Sequence, residues 1–296
     1  MNFRTFIMLV PTAVSTPLQA ITPNAVELEL AGLIRDHEEQ RRTEMIYDNI
    51  LNMVARAKAL DMARRNFTGH VDPDGYGPDK SVQLAGYPLP GWYAFDENPN
   101  DDNAIESNAA GQTSAAAVFN AWMASPPHKE HLMAVDPDDF FLTQTHYGVG
   151  HAEVPGSAHV RYYVFMSAPP NPVGDNRLEP YAEWLFAWFR PAQLDAQGDL
   201  SDTDQDGIVR IVEFALNSNP LARNAMPFPS FNPASGRLEW TLPLRADLGS
   251  LLVSVQHSPD LTPSSWSANG VQVAGNTRSI PATGKAGFMR LAVRKP

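Results

Sequence analysis

Gly69-His70-Val71-Asp72-Pro73-Asp74-Gly75 sets one imidazole in a tight turn. Glycine at both ends and an Asp-Pro-Asp centre are the residues that a reversal of the chain requires. Downstream, Glu106-Ser107-Asn108-Ala109-Ala110-Gly111 ends on a turn glycine and carries a carboxylate. Further on, Ala121-Trp122-Met123-Ala124-Ser125-Pro126-Pro127-His128 puts a second imidazole beside a helix end. Two imidazoles and a carboxylate, once brought together, make a half-built zinc site or an acid/base pocket.

The flanking sequence shows what could bring them together. Val26, Leu28, Leu30, Leu33 and Ile34 form an apolar stripe that predicts a helix over 26–48, its far part carrying the charged stretch Arg35 to Arg42. Ile50, Met53, Val54, Ala57, Leu60 and Met62 keep helical spacing and predict a second helix from about Ile46 to Arg65. A third is expected from Thr113, as N-cap, to Met123, with Val118, Trp122 and Met123 facing inward. Strand signals follow at 147–151 and 160–166. Helices followed by strands point to an α+β or layered α-β-α domain.

Ala168-Pro169-Pro170-Asn171-Pro172 is a stiff connection and the clearest boundary in the chain. The expected organisation is a domain over 24–168, a Pro-rich linker over 169–177, a helical segment over 178–222 and a small antiparallel β domain over 226–296. Within the helical segment, Glu179 to Leu194 reads as one helix whose Tyr181, Trp184, Leu185 and Trp188 form a packing face. The last segment alternates apolar and polar residues in short pieces at 238–242, 251–255, 271–273 and 288–293.

Composition narrows the function classes. The 296 residues include no cysteine, which excludes disulfides, thiolate catalysis and cysteine-ligated zinc. The formal net charge of -11 is uneven: 225–296 holds 7 basic against 3 acidic residues and the rest is strongly acidic. An acidic body disfavours nucleic acid, because phosphate neutralisation needs a basic surface. The basic tail leaves a cell-surface or matrix component as a conceivable partner. Residues 1–20 read as an export signal, with Arg4, the apolar run Phe6 to Val10 and a small residue at Ala20. No later apolar run is long enough to span a bilayer. A secreted, periplasmic or cell-surface protein that is not transmembrane is expected.

The N-terminal half resembles the CAP superfamily of cysteine-rich secretory, antigen 5 and pathogenesis-related-1 proteins, and in particular its cysteine-free bacterial members. Asn66 to Gly75 is similar to the family's F-S-H-x-D-P-D-G segment, and Ile105 to Gly111 lies where the family has G-E-N-I-A-x-G. Ala121 to Met133 is similar to A-W-M-x-S-P-G-H-R-x-N-I-L; Tyr147 to Gly150 and Tyr162 to Phe165 resemble the closing strands. The resemblance implies an α-β-α sandwich with a cleft lined by two His and two Glu able to hold a divalent metal. His70, Glu106 and His128 match three of these; the second Glu is missing, and Ser125 stands at about its position.

Neutral imidazoles and one carboxylate suit zinc or another divalent metal, with water completing the shell. An open position would permit hydrolysis. Equally, the three residues could be a hydrogen-bond network that closes the sandwich. Nothing nominates a supporting base, and Glu130 and His131 are only neighbours. No G-x-S-x-G elbow occurs, and Gly148-Val149-Gly150 does not complete a dinucleotide fingerprint.

Asp202-Thr203-Asp204-Gln205-Asp206-Gly207-Ile208-Val209-Arg210-Ile211-Val212-Glu213 follows the twelve-residue EF-hand pattern without a gap. Asp202, Asp204 and Asp206 stand at positions 1, 3 and 5, Gly207 permits the turn at 6, Ile208 offers its carbonyl at 7, and Glu213 closes at 12. Arg210 at position 9 is the odd residue. The loop resembles the single calcium loops, dockerin-like or thrombospondin-3-like, that precede C-terminal β modules. A rival loop at Asp96 to Ser107 lacks the position-6 glycine and is rejected. These readings converge on a secreted, non-enzymatic protein that binds a small apolar or peptidic ligand in the CAP cleft and is braced by calcium. A metal-dependent hydrolase and a purely adhesive protein are the alternatives.

Overall fold

The computed structural model describes residues 22–94, 98–171, 179–282 and 287–296; the expected export signal and most of the Pro-rich linker lie outside these residues. In the N-terminal half the order is α1 (Ala25–Arg35), β1 (Ile46–Tyr47), α2 (Asn49–Arg65), α3 (Pro78–Leu84), β2 (Glu106–Ala110), α4 (Ala115–Met123), α5 (Pro126–Met133), β3 (His146–Glu153) and β4 (Arg161–Ala168). The strands form one sheet in the order β1-β3-β4-β2, with β1 parallel to β3 and the other pairs antiparallel.

The period-2 alternation of β4 explains the layering, since successive side chains leave a strand on opposite faces. Tyr162, Val164, Met166 and Ala168 enter a core built with Leu51, Val54 and Met62 of α2. Tyr163 and Phe165 enter a second core with Leu30 and Ile34 of α1, Val118 and Trp122 of α4, and Leu132 of α5. One sheet between two apolar helix layers is an α-β-α sandwich, as expected.

The helix expected over 26–48 ends at Arg35. Beyond it the chain turns so that Arg42, 5% exposed, reaches the interior. Its guanidinium donates to the carbonyls of His131 and Leu132 at 2.8 Å and Phe141 at 3.1 Å. The second helix begins at Asn49, after Asp48 Oδ1 accepts from the N–H groups of Ile50 and Leu51 at 2.8 and 3.0 Å. The third is capped by Ser114 rather than Thr113, its Oγ accepting from Ala117 N–H at 3.1 Å.

The single helix expected over 179–194 is two: α6 (Pro180–Trp188) and α7 (Pro191–Ala196). Pro191 has no N–H and forces extended backbone on Arg190, which breaks the run. After α8 (Arg210–Ala215) come β5 (Ser230–Asn232), β6 (Arg237–Thr241), β7 (Leu252–Ser258), β8 (Gln272–Ala274), β9 (Thr277–Pro281) and β10 (Phe288–Arg294). They form a β7-β10 pair and a four-stranded β5-β6-β9-β8 sheet, every pairing antiparallel. Tyr181, Trp184, Phe189, Ile211, Phe214 and Leu251 make one core here. Ile208, Leu216, Trp240, Leu242 and Val255 make another, so α8 bridges the helical segment and the strands.

Candidate functional site

The 69–75 turn is fixed by its own aspartates. Asp72 Oδ1 accepts from the N–H groups of Asp74 and Tyr76 at 2.8 and 2.9 Å, while Arg65 at the end of α2 bridges Asp72 and Asp74 at 2.9 and 2.6 Å. This anchoring delivers His70 to β2, where Glu106 and Asn108, two residues apart, share a face.

His70 Nδ1 lies 3.0 Å from Glu106 Oε1, and Asn108 Nδ2 donates to that same oxygen at 2.7 Å. With an anionic carboxylate the contact selects the tautomer whose proton is on Nδ1, leaving Nε2 as the acceptor. The His70 side chain is 42% exposed and that of Glu106 is buried, so the imidazole is the group that meets solvent. Glu106 Oε2 is buried without a hydrogen-bond partner. Asp79, also buried, accepts from Ala104 N–H at 2.9 Å. Its carboxyl is pushed up to about 7, by burial first and then by the Asp102 and Glu106 carboxylates.

His128 is held apart from that pair. Its Nδ1 lies 2.8 Å from Ser125 Oγ, so the serine at the missing glutamate's position engages the second histidine. Burial and then the neighbouring His70 push the His128 pKa down and keep its ring neutral. Ligand atoms of His70, Glu106 and His128 do not all fall within 4.8 Å of one another. Among the described residues, the group of three that meets that distance is Asp202, Asp204 and Asp206.

Behind the cleft lies a network that the motifs did not assign. His131, 3% exposed, is held between Ser107 Oγ at 2.8 Å and Ser167 Oγ at 2.9 Å. Ser167 donates to Gln144 Oε1 at 2.7 Å, and Gln144 Nε2 reaches Tyr93 OH at 3.1 Å. Burial, then the Arg42 charge, holds the His131 pKa well below the usual histidine range. His131 is therefore a neutral strut joining α5 to β2 and β4. The available signal was its position, where the resembled motif carries another hydrogen-bonding side chain, asparagine.

In the acidic loop, Asp202 accepts from Asp206 N–H at 3.1 Å and Gly207 N–H at 2.8 Å, and Asp206 accepts from Ile208 N–H at 2.7 Å. Gly207, at φ 90, takes a conformation that L side chains rarely adopt. Glu213 is fully buried, and both of its carboxylate oxygens lack a partner, as does Asp204 Oδ2. Burial, then the charges of Asp204, Asp206 and Asp202, push the Glu213 carboxyl up to about 7. Orphaned oxygens on a hard, all-carboxylate donor set fit a calcium ion. Asp202, Asp204, Asp206 and Glu213 would hold it with the Ile208 carbonyl, and the ion would supply the missing positive charge. Arg210 contributes nothing to that set. Its guanidinium lies 3.7 Å from the Phe189 ring centroid and donates to Thr203 Oγ1 and to the carbonyls of Gln193 and Gln197.

Residues 35–164 match the model of the cysteine-rich secretory protein family, CAP. The CAP domain that this match marks over 35–164 lies within the α-β-α sandwich. Among solved structures, the chain is similar to an outer surface protein from Borrelia burgdorferi, at 18% identity and a TM-score of 0.35, over 48% of this chain and 90% of that one. It is also similar to an extracellular protein containing a SCP domain from Bacillus anthracis str. Ames, at 17% identity and a TM-score of 0.34, over 49% of this chain and 40% of that one. A search of curated proteins gives no match. No helix among the described residues is long and apolar enough to cross a membrane.

Proposed function

We propose that this is a secreted, non-enzymatic CAP-domain protein. Its cleft would bind a small apolar or peptidic ligand, and its C-terminal module, braced by calcium, would serve surface or matrix association. The observation that carries the reading is the division of labour between the two polar centres. In the cleft, His70 is positioned by Glu106 and Asn108, and His128 by Ser125, each through Nδ1. Such an arrangement presents imidazole hydrogen-bonding groups to a ligand. In the loop, both oxygens of a buried glutamate lack a hydrogen-bond partner beside three converging aspartates. Such a set is what a structural cation relieves.

Metal analysis of the purified protein with calcium and melting curves tests it. Chelation is expected to lower the melting temperature of the wild type but not of Asp202→Ala. Equal shifts in both would discard the loop as the calcium site. Stoichiometric zinc, lost in His70→Ala/His128→Ala together with a hydrolytic activity, would replace the ligand-binding reading with a metal-dependent hydrolase.

A further inference from the structure

A crevice of about 270 Å³ opens between α2, the end of β3 and α6, apart from the His70 cleft and from the acidic loop. Its apolar wall includes Leu60, Val154 and Phe186. Of the charged groups around it, Arg56 is bonded through two nitrogens to the buried Glu27, and Glu153 is bidentate to Arg161 at 3.0 and 3.2 Å. These pairs neutralise themselves.

Glu183 does not. It is 7% exposed, and its Oε1 is buried with no partner. Arg245 and then Arg56 act on it electrostatically, but both spend their hydrogen bonds elsewhere, Arg245 on Asn217 at 3.2 Å and Arg56 on Glu27. Buried polar groups without partners are rare in folded proteins, and each calls for an explanation. Here the explanation must supply positive charge and N–H donors beside an apolar surface. A metal ion is a poor match, because no group of three ligands converges here among the described residues. An anion would meet an unneutralised carboxylate in a protein of net charge -11.

We propose that this crevice is a binding site for a small organic amine, its ammonium paired with the Glu183 carboxylate and its apolar body against Leu60, Val154 and Phe186. The volume is near the lower end of small-ligand pockets, roughly 300–1,000 Å³, which favours a compact amine over a lipid chain. The site goes beyond the cleft reading, since neither His70 nor His128 lines it.

Calorimetric titration of the full chain with phenethylamine, and with 2-phenylethanol as its uncharged counterpart, tests the proposal. Saturable binding of the amine is expected, about tenfold or more tighter than the alcohol, and weakened about tenfold or more in Glu183→Gln. Absence of amine binding, equal binding of the two compounds, or full binding by folded Glu183→Gln would overturn it. Should Glu183→Gln not fold, Ala187→Trp at the crevice rim is the deciding variant: loss of binding supports the site and retention overturns it. His70→Ala is expected to bind the amine as wild type does; loss there would move the amine to the cleft and end the proposal.

Discussion

Gly148 and Gly150 on β3 decide how closely α2 approaches the sheet. A Cβ at Gly148 would lie 2.2 Å from Asn52 N, and one at Gly150 would lie 2.1 Å from the Ala55 carbonyl carbon. Both obstacles are backbone and cannot step aside. Gly150→Ala is therefore expected to lose about 3 kcal/mol or more, or to fail to fold, as read by urea denaturation. His131 is the other decisive residue at this scale. Its proton affinity is lower folded than unfolded, so above pH 7 the ring is neutral in both states and costs nothing. As pH falls below about 6.5 the unfolded chain takes up a proton that the folded one refuses, and stability drops by about 1.4 kcal/mol per pH unit. His131→Asn is expected to flatten that slope between pH 7 and 5 in pH-resolved denaturation curves.

At the scale of elements, Arg210 is better understood as part of α8 than as part of the acidic loop. It stacks on Phe189 and ties α8 to the chain around α7 through the Gln193 and Gln197 carbonyls. Arg210→Ala is expected to cost about 2–3 kcal/mol from the lost stack and hydrogen bonds while leaving the calcium stoichiometry unchanged. Melting curves and calcium titration separate these effects. The same residue marks what the sequence could convey. Loop positions 1, 3, 5 and 6 are legible because local spacing alone brings Asp202, Asp204 and Asp206 together at the turn of Gly207. Position 9 is anomalous in the pattern because its Gln197, Gln193 and Phe189 partners lie 13 to 21 residues away in the chain. Helix α2 was readable from its apolar period, whereas α1 was overrun because burial of Arg42 is a tertiary event. Strands β5 and β9 leave little trace in the sequence: β5 spans three residues, and β9 carries one buried apolar side chain, Ile280. In the cleft, His70 and Glu106 stand in recognisable motifs. Asp79 and His131 become part of it only when α3 and α5 close on the sheet.

At the scale of the whole molecule, Phe186 joins the two halves. It belongs to α6, yet its 8% exposed ring packs into the core formed by α2 and β4. Its neighbours Trp184 and Phe189 face the other way, into the C-terminal core. Phe186→Ala is expected to cost about 3–5 kcal/mol and to uncouple the halves, so that scanning calorimetry resolves two transitions in place of one.

Two contacts of the acidic loop have a bearing on chain topology. Asp206 Oδ2 accepts from Asn224 N–H at 2.6 Å, and the Asp204 carbonyl accepts from Arg223 Nε at 3.0 Å. The segment leading to the β strands is thereby drawn back onto the loop, closing a ring of chain in a protein without cysteine. A covalent tie across a ring of this size would remove about 3 kcal/mol of unfolded-state entropy. This clasp closes the same ring only in the folded state, so it leaves the freedom of the unfolded chain intact. It opens and recloses reversibly, and thiol reductants have no bond in it to break.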